Sequence, residues 1–333
     1  MNSTEDVKEA NQKALFSYFL YTIVGITLTC TNGITTLAIL RHEVLRSKKE
    51  YIVLAALSLA DLLNAIGHLT AGVYRSYVIL EEQAHVLLTS WECMTKVHNI
   101  VWSVGDYASI AMLVCISLDR LIAVAFPLQY FGFGKLYALG LVFVFYSFSF
   151  AAAVVLFTGA YANRMLPKYP AICFLSAGFV TETVTIWYRR IRYCLAVASV
   201  ILYVPVLVVY KKRMSSVQSS VQHNYAAEQK KQNKFVITVG LSTLCTLLFY
   251  FSMNVVIEVT SKISMSVYYT FSPYADVLKN MNPLMNLILL TSRHKDIKTG
   301  IMYLFKCKRL SEATLKSTHV IQVQPKHNAK QNL

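Results

Sequence analysis

Polar and charged side chains recur at helical spacing inside segments that are otherwise apolar. One set follows steps of three, four or seven residues, so its members share one helix face: Trp102, Asp106, Ser109, Leu113 and Arg120. A second set has similar spacing: Asp276, Lys279, Asn282 and Asn286. A charge within an apolar segment is costly and usually faces the protein interior, where it serves function. The sequence therefore predicts two polar stripes that face each other across a shared centre.

Three carboxylates of these segments are predicted to lie toward the outer side of the molecule. Asp106 and Asp276 stand on the stripes, and Glu258 ends an apolar segment. Trp102 and many Tyr and Phe residues surround them in the sequence. An aromatic cavity with carboxylates favours a cationic or amine-bearing ligand, so Trp102, Asp106, Glu258 and Asp276 are predicted to form a ligand pocket.

Basic residues near these acids leave alternatives open. The acids could instead pair with Lys279, with Arg75 or with each other as internal structure, since buried charges need partners. Arg189, Arg190 and Arg192 form a cluster at the outer edge of a further apolar segment. Lipid phosphates are the predicted partners of this cluster, and an anionic ligand is the alternative.

No catalytic arrangement accompanies these residues. The sequence has no HExxH, GxSxG or Walker pattern and no paired-cysteine spacing typical of a metal site. We therefore predict no enzymatic activity, no cofactor and no metal site.

The elements that would position the polar stripes are long apolar segments. Hydrophobic residues make up 55% of the 333-residue chain, charged residues only 15%, and the mean hydropathy is +0.46, whereas a soluble domain is about one quarter charged. A helix needs about 20 apolar residues to cross the hydrocarbon core, and seven segments approach or exceed that length: Ala14–Leu40, Tyr51–Tyr74, Val97–Leu118, Leu136–Asn163, Tyr193–Tyr210, Phe235–Ile257 and Ile263–Ser292. We predict an all-α membrane protein, a seven-transmembrane helix bundle, with an amphipathic helix over Arg293–Lys306 on the inner membrane face.

The distribution of basic residues predicts the topology. Four polar segments hold 21 of the 32 Lys and Arg residues: Arg41–Glu50, Arg120–Lys135, Lys211–Lys234 and the tail after Ser292. The positive-inside rule places these in the cytoplasm. The expected division is an extracellular N-terminus over 1–13, a seven-span domain over 14–306 and a disordered cytoplasmic tail over 307–333. The net charge of +15 then indicates contact with anionic lipid headgroups rather than nucleic acid.

Several features outside the spans predict modification or local structure. Asn2 begins a glycosylation sequon, and no removable signal peptide is predicted. Cys93 and Cys173 lie on the oxidising side and are predicted to form a disulfide, two free thiols being the alternative. Cys307 is a candidate for palmitoylation. Alternation within the long outer loop of residues 164–192 predicts a short β-hairpin lid.

In sequence order, short motifs on this frame resemble those of rhodopsin-like (family A) G-protein-coupled receptors, and the resemblance covers about Phe16 to Phe305. The motifs are these: Thr31-Asn32, Leu57 to Asp61, Asp119-Arg120-Leu121, Phe126-Pro127-Leu128-Gln129-Tyr130, Pro205 and Asn282-Pro283. A narrower resemblance is to nematode serpentine chemoreceptors of the Srsx type. It is carried by Leu45-Arg46-Ser47-Lys48, Leu59-Ala60-Asp61-Leu62-Leu63, Asp119-Arg120-Leu121-Ile122-Ala123 and Phe126-Pro127-Leu128-Gln129-Tyr130. The resemblance implies a receptor in the plasma membrane.

The chain departs from that family pattern at four places. Asn286 replaces the tyrosine of NPxxY, and the region Phe249–Met253 lacks the family's CWxP motif and its proline, which puts the usual kink in doubt. The fourth span lacks its usual tryptophan. Cys93 stands 27 residues before Arg120, two more than the family shows, so an extra bend is expected near the outer end of the third span.

The resemblance also implies a mechanism and assigns roles. Binding of an extracellular small molecule or peptide shifts an equilibrium, and Arg120, held by Asp119 at rest, becomes free to contact a heterotrimeric G protein. The residues expected to connect the two ends form an activation core: Asn32, Asp61, Ser109, Lys279, Asn282 and Pro283. The family binds sodium beside its second-span aspartate, and we expect the ammonium of Lys279 to replace that ion as the partner of Asp61.

The sequence thus predicts a chemosensory G-protein-coupled receptor. Photoreception is disfavoured, because opsins place their retinal-binding lysine where this chain has Asp276. The alternative from another class is a seven-span transporter or ligand-gated channel, which predicts inverted repeats or a continuous polar path, and the sequence shows neither.

Overall fold

The computed structural model describes residues 3–174, 180–217, 237–238, 240–308 and 310–311. Six helices in this part of the chain are long and apolar enough to cross a membrane. The first to sixth spans lie within the following segments: Ser3–Arg41, Lys49–Leu80, Val97–Ala125, Lys135–Ala162, Glu182–Val217 and Gly240–Thr260. Lipid offers backbone groups no hydrogen-bond partners, so each span satisfies them internally as a helix.

The seventh span is divided into two helices, Met265–Lys279 and Met281–Arg293. Neither half alone reaches the length of a membrane span, and Asn280 joins them. Proline lacks an N–H and clashes with the carbonyl four residues earlier, so it is tolerated in the first turn of a helix. Pro283 occupies that position in the second half. Together the seven spans form the predicted all-α bundle.

The sixth span contains a π-helical turn, Thr246–Phe251, which passes into the α-helix Ser252–Ile263. This turn covers part of the region where the sequence lacks the proline of the related receptors. In a π-turn each backbone hydrogen bond spans five residues instead of the four of an α-helix. Such turns are a known cause of helix kinks. The chain therefore has a local irregularity at this depth that does not depend on proline.

Residues 169–174, between the fourth and fifth spans, form a lid over one end of the bundle, which we call the outer end. Strand β1, Leu87–Leu88, pairs antiparallel with strand β2, Tyr169–Pro170. Cys93 and Cys173 form a disulfide with 5.2 Å between their Cα atoms, as the sequence predicted. The lid is thus fastened to the segment between the second and third spans.

The predicted hairpin within residues 164–192 is wrong. Its second strand is instead the start of the fifth span, which is helical from Glu182, and its turn at Ala177-Gly178 lies outside the described residues. Val180 and Val184 pack toward the fourth span, where both lie close to Gly159. A short alternating run is compatible with a helix as well as with a strand. Here the run is helical and packs against the fourth span.

The expected extra bend before the third span is present. A separate helix, Ser90–Met94, carries Cys93 and ends before the third span begins at Val97. Thr89 and Glu92 form its capping box, in which each side chain accepts from the backbone N–H of the other. The hydrogen bond from the backbone of Thr89 holds the pKa of Glu92 below its usual value.

Within the described residues, the opposite, inner end has three short helices, Glu43–Arg46, Pro127–Gly132 and Lys295–Phe305. The last one is the C-terminal helix predicted from the sequence. Asp296 ties it to the second span, because the ammonium of Lys48 lies 2.9 Å and the hydroxyl of Tyr51 lies 3.0 Å from its carboxylate.

Glycines let three spans approach closely. A Cβ built on Gly105 of the third span would stand 2.6 Å from the backbone nitrogen of Asn64, and one on Gly25 would stand 2.5 Å from that of Leu69. Small residues are the usual means by which membrane helices pack backbone to backbone. The second span is therefore held tightly between the first and third.

We expect Gly105→Ala to destabilise the protein by about 1–3 kcal/mol, because overpacking forces the second and third spans apart. Gly140→Ala is the matched control. It lies in the fourth span, where its Cβ position meets no described atom within 4 Å apart from its chain neighbours and the backbone of its own helix, and alanine favours a helix over glycine by about 1 kcal/mol. Thermal unfolding of the two purified variants checks this. Equal melting temperatures would contradict the close packing.

Candidate functional site

A cavity opens among the spans beneath the lid, and we call it the outer cavity. Its lining is aromatic and charged: Arg75, Trp102, Asp106, Phe174, Thr185, Tyr188, Arg189, Arg192, Tyr193, Asn254, Ile257, Asp276 and Lys279. Three of the four residues predicted to line a ligand pocket are present, namely Trp102, Asp106 and Asp276. Glu258, the fourth, lies beside the cavity rather than among its lining residues.

Asp106 is paired with a cation of the fifth span. The guanidinium of Arg192 lies 2.9 Å from its Oδ2, and the hydroxyl of Tyr188 donates to the same oxygen at 3.0 Å. Arg192 also donates to the Tyr250 hydroxyl at 2.9 Å and to Asn254 at 3.3 Å. This network joins the third, fifth and sixth spans, and it occupies the carboxylate that an amine ligand would need.

Asp276 is paired as well. Lys279 lies three residues later on the same helix, with its ammonium 3.0 Å from Oδ1 of Asp276. Tyr21 of the first span donates to Oδ2 at 3.0 Å. One turn deeper, the side-chain amide of Asn280 lies 2.7 Å from Nε2 of His68. These contacts tie the seventh span to the first and second.

Glu258 forms an ion pair with Arg189 at 3.0 Å, and both side chains are about one third exposed, at 34% and 29%. Each predicted ligand carboxylate therefore has a basic partner. In this arrangement the three acids are not free to receive a cationic ligand. Internal pairing, the alternative, is present, but only Asp276 has the partner named from the sequence, Lys279; Asp106 and Glu258 pair instead with Arg192 and Arg189. Sequence spacing shows which residues share a face of one helix, but not which cation of a neighbouring helix reaches that face.

The predicted pairing of Lys279 with Asp61 is also wrong. Asp61 lines a separate cavity nearer the inner end, together with Asn32, Ser58 and Asn286, whereas Lys279 lines the outer cavity. Residues three apart on a helix are neighbours, so Asp276 lies within reach of Lys279 without any rearrangement of the bundle. The predicted activation core is therefore not one cluster, because Asn32 and Asp61 line the inner cavity and Lys279 lines the outer cavity.

Asparagines join spans around this inner cavity. The Ser58 hydroxyl donates to Oδ1 of Asn32 at 3.2 Å, which links the first and second spans. The Thr246 hydroxyl donates to Oδ1 of Asn282 at 3.2 Å, from the π-helical turn of the sixth span. The Ser242 hydroxyl donates to Asn286, which stands where related receptors have tyrosine. The sixth and seventh spans therefore contact each other through two asparagines.

A buried charged cluster lies at the inner end of the third span. Nε of Arg120 donates to Asp119 at 2.9 Å, and Nη2 donates to the Tyr130 hydroxyl at 2.6 Å. That hydroxyl in turn lies 3.2 Å from Oδ1 of Asp119. Burial raises the pKa of Tyr130 well above its usual value, so its hydroxyl keeps its proton. All three side chains are buried.

A basic residue of the second span covers this cluster. The ammonium of Lys49 lies 3.7 Å from the centre of the Tyr130 ring and donates to the carbonyls of Tyr130 and Phe133. It therefore fixes the short helix Pro127–Gly132 in place. The arrangement holds Arg120 inside the protein, paired and away from the inner surface.

The family model of 7 transmembrane receptor (rhodopsin family) matches residues 31–289, which is more than half of the chain. The chain belongs to the rhodopsin family of seven-transmembrane receptors. No curated protein matches it. Membership explains the order of the motifs and identifies a receptor rather than an enzyme family.

Several predictions about this rhodopsin-family receptor concern residues outside the described ranges or at an exposed position. Asn2 and most of the basic segment Lys211–Lys234 lie outside the described residues. Cys307 is exposed directly after the C-terminal helix, and its palmitoylation stays a prediction. The described residues contain no group of three or more side chains suited to hold a metal ion.

Sequence reasoning missed the roles of two residues. Tyr130 was within a recognised motif, but nothing in that motif indicated that its hydroxyl joins Asp119 to Arg120. Arg192 was assigned to lipid phosphates with its neighbours. Its spacing of four from Tyr188 places both on one helix face, and this signal would have directed it inward.

Proposed function

We propose that this receptor binds an extracellular small molecule or peptide in the outer cavity and activates a heterotrimeric G protein. The resemblance to Srsx-type chemoreceptors supports a chemosensory role at the plasma membrane, and the distribution of basic residues supports an N-terminus outside. The single observation that carries the proposal is the buried cluster of Asp119, Arg120 and Tyr130. It lies in the third span at the end opposite the outer cavity.

The proposed activation is a shift between two pre-existing arrangements. A ligand can move this equilibrium only by its difference in affinity for the two states. The network of Asp106 and Arg192 joins the third and fifth spans to the sixth, so a ligand touching it would change the sixth span's position. Release of Arg120 from Asp119 and Tyr130 would then open a site for the G protein.

The polar contacts between the cavities supply the proposed connection. Asn282 and Asn286 link the seventh span to the sixth at and next to its π-helical turn. Asn32, Asp61 and Ser109 complete this activation core around the third span. The basic inner segment Lys211–Lys234 is proposed to add contact surface for the G protein, and membrane lipid to surround the spans.

The test is a panel of candidate ligands applied to cells that express the receptor, read out by dissociation of each class of heterotrimeric G protein. A ligand response that needs G protein supports the proposal. A ligand-evoked current in cells that lack the responsive G proteins would instead assign the chain to the alternative class of ligand-gated channels or transporters.

A further inference from the structure

Arg75 of the second span lines the outer cavity and is completely buried, with 0% of its surface exposed. Nε donates to the carbonyl of Ile172 at 3.1 Å, and Nη2 donates to the carbonyl of Cys173 at 3.4 Å. Nη1 is buried and has no hydrogen-bond partner among the described residues. A buried donor on a charged group that lacks a partner is costly.

Aromatic rings surround this guanidinium. Its Cζ lies 4.2 Å from the ring centre of Phe174, and the rings of Trp102, Tyr18 and Tyr21 lie between 5.6 and 5.9 Å away. Ring faces stabilise a cation by about 1 kcal/mol each, much less than a carboxylate does. The surroundings therefore hold Arg75 in place without neutralising its charge.

One basic residue that lines the outer cavity has no acidic partner among the described residues. Its lining has four basic residues, and three of them are matched within the described structure: Arg192 by Asp106, Lys279 by Asp276, and Arg189 by Glu258. Arg75 has no carboxylate partner among the described residues. The cavity thus has a net positive charge centred on one buried guanidinium beneath the lid.

We propose that Arg75 anchors an anionic ligand, a carboxylate carried on an apolar or aromatic body. The inference rests on the proposed function only in taking the outer cavity as the ligand site. The carboxylate accepts from Nη1 of Arg75, and the body packs among Trp102, Phe174 and Tyr188. Charge-assisted hydrogen bonds of this kind are about twice as strong as neutral ones.

The location gives the anchor a second consequence. Two of the three nitrogens of Arg75 already hold the lid through the carbonyls of Ile172 and Cys173. A carboxylate that accepts from the third nitrogen would complete the hydrogen bonds of Arg75. This one side chain of the second span would then contact both the lid and the ligand. Binding is therefore expected to order the lid as well as to fill the cavity.

Two series of probes test the ligand class on the purified full-length receptor in lipid nanodiscs. One series is 3-phenylpropanoate with its matched amine and amide, and the other is dodecanoate with its amine and amide. Thermal stabilisation is measured without G protein. We expect stabilisation by carboxylates and not by the matched amines. Stronger binding of 3-phenylpropanoate would indicate a soluble acid as the ligand, and stronger binding of dodecanoate would indicate a lipid-derived acid.

Arg75→Gln is expected to weaken carboxylate binding about tenfold or more, the worth of a hydrogen bond to a charged group. Arg164→Gln is the matched control, because Arg164 is not among the lining residues of the cavity and its guanidinium interacts with Tyr161. If Arg75→Gln fails to reach the membrane, Arg75→Lys is tested instead. We expect this variant to bind carboxylates more weakly than the unchanged receptor does, and still to prefer carboxylates over amines.

Stabilisation by the amines, no stabilisation by any carboxylate, or unchanged carboxylate affinity in the Arg75 variant would overturn the inference. Because binding is measured without G protein, a receptor that binds carboxylates but activates no G protein contradicts the proposed function alone. A receptor that signals in response to amines contradicts the ligand class alone.

Discussion

Asp106→Asn is expected to destabilise the receptor by about 3 kcal/mol or more, because it leaves the guanidinium of Arg192 buried without its counter-ion. The two side chains are only 3% and 10% exposed and lie 2.9 Å apart. The double variant Asp106→Asn/Arg192→Gln removes both charges, so it should be clearly more stable than the sum of the single variants implies. Thermal unfolding of the four purified proteins gives this double-mutant cycle.

Glu258→Gln is the matched control for that cycle. Its pair with Arg189 has nearly the same distance, 3.0 Å, but both side chains are about one third exposed. Exposed pairs contribute about 0–1 kcal/mol because water and salt screen them. If Asp106→Asn and Glu258→Gln lowered the melting temperature equally, or if the effects of the two single variants at 106 and 192 added, the buried network would have no special weight.

Tyr130→Phe is expected to raise the basal activation of G protein about tenfold or more. The substitution removes the hydroxyl that accepts from Arg120 and contacts Asp119. A hydrogen bond to a charged group contributes about 1.5–3 kcal/mol, and its loss in the resting state moves the equilibrium toward a released Arg120 by the corresponding factor. Nucleotide exchange on purified G proteins, without ligand, measures the change.

Two further variants locate this effect. Tyr130→Phe/Arg120→Gln should return basal exchange to background, because the proposed contact with the G protein is then missing. Tyr146→Phe should leave basal exchange unchanged, since its hydroxyl donates to the carbonyl of Ala56 at 2.7 Å, between the fourth and second spans. Low basal activity in Tyr130→Phe, or an equal rise in Tyr146→Phe, would count against a restraining role of the cluster.

The spans were predictable because a membrane demands continuous helices of known length, and apolar runs reveal them directly. The divided seventh span was less visible. Asp276 and Lys279 mark it as polar, but the position of Asn280 between two helices is seen only in the structure, where Asn280 contacts the second span. Hydropathy measures transfer into lipid and is insensitive to such local geometry.

The candidate site was predictable in its members more than in its contacts. Helical spacing correctly placed Trp102, Asp106 and Asp276 at one cavity. It allowed Lys279 either Asp276, three residues away on the same helix, or Asp61 of the second span, and it did not show that Arg192 reaches across from the fifth span. Contacts between spans depend on the rotation of one helix relative to another. The pairing of β1 with β2 likewise joins segments about eighty residues apart, beyond the reach of local pattern.

The attachment of the C-terminal helix has a mechanical consequence. Asp296 binds Lys48 and Tyr51, and Nε2 of His42 lies 3.0 Å from the carbonyl of Gly300. These contacts attach the C-terminal helix to the first two spans, although the helix follows directly after the seventh span in the chain. Under the proposed mechanism, a G protein that contacts this helix would meet a surface that stays fixed while the sixth span moves.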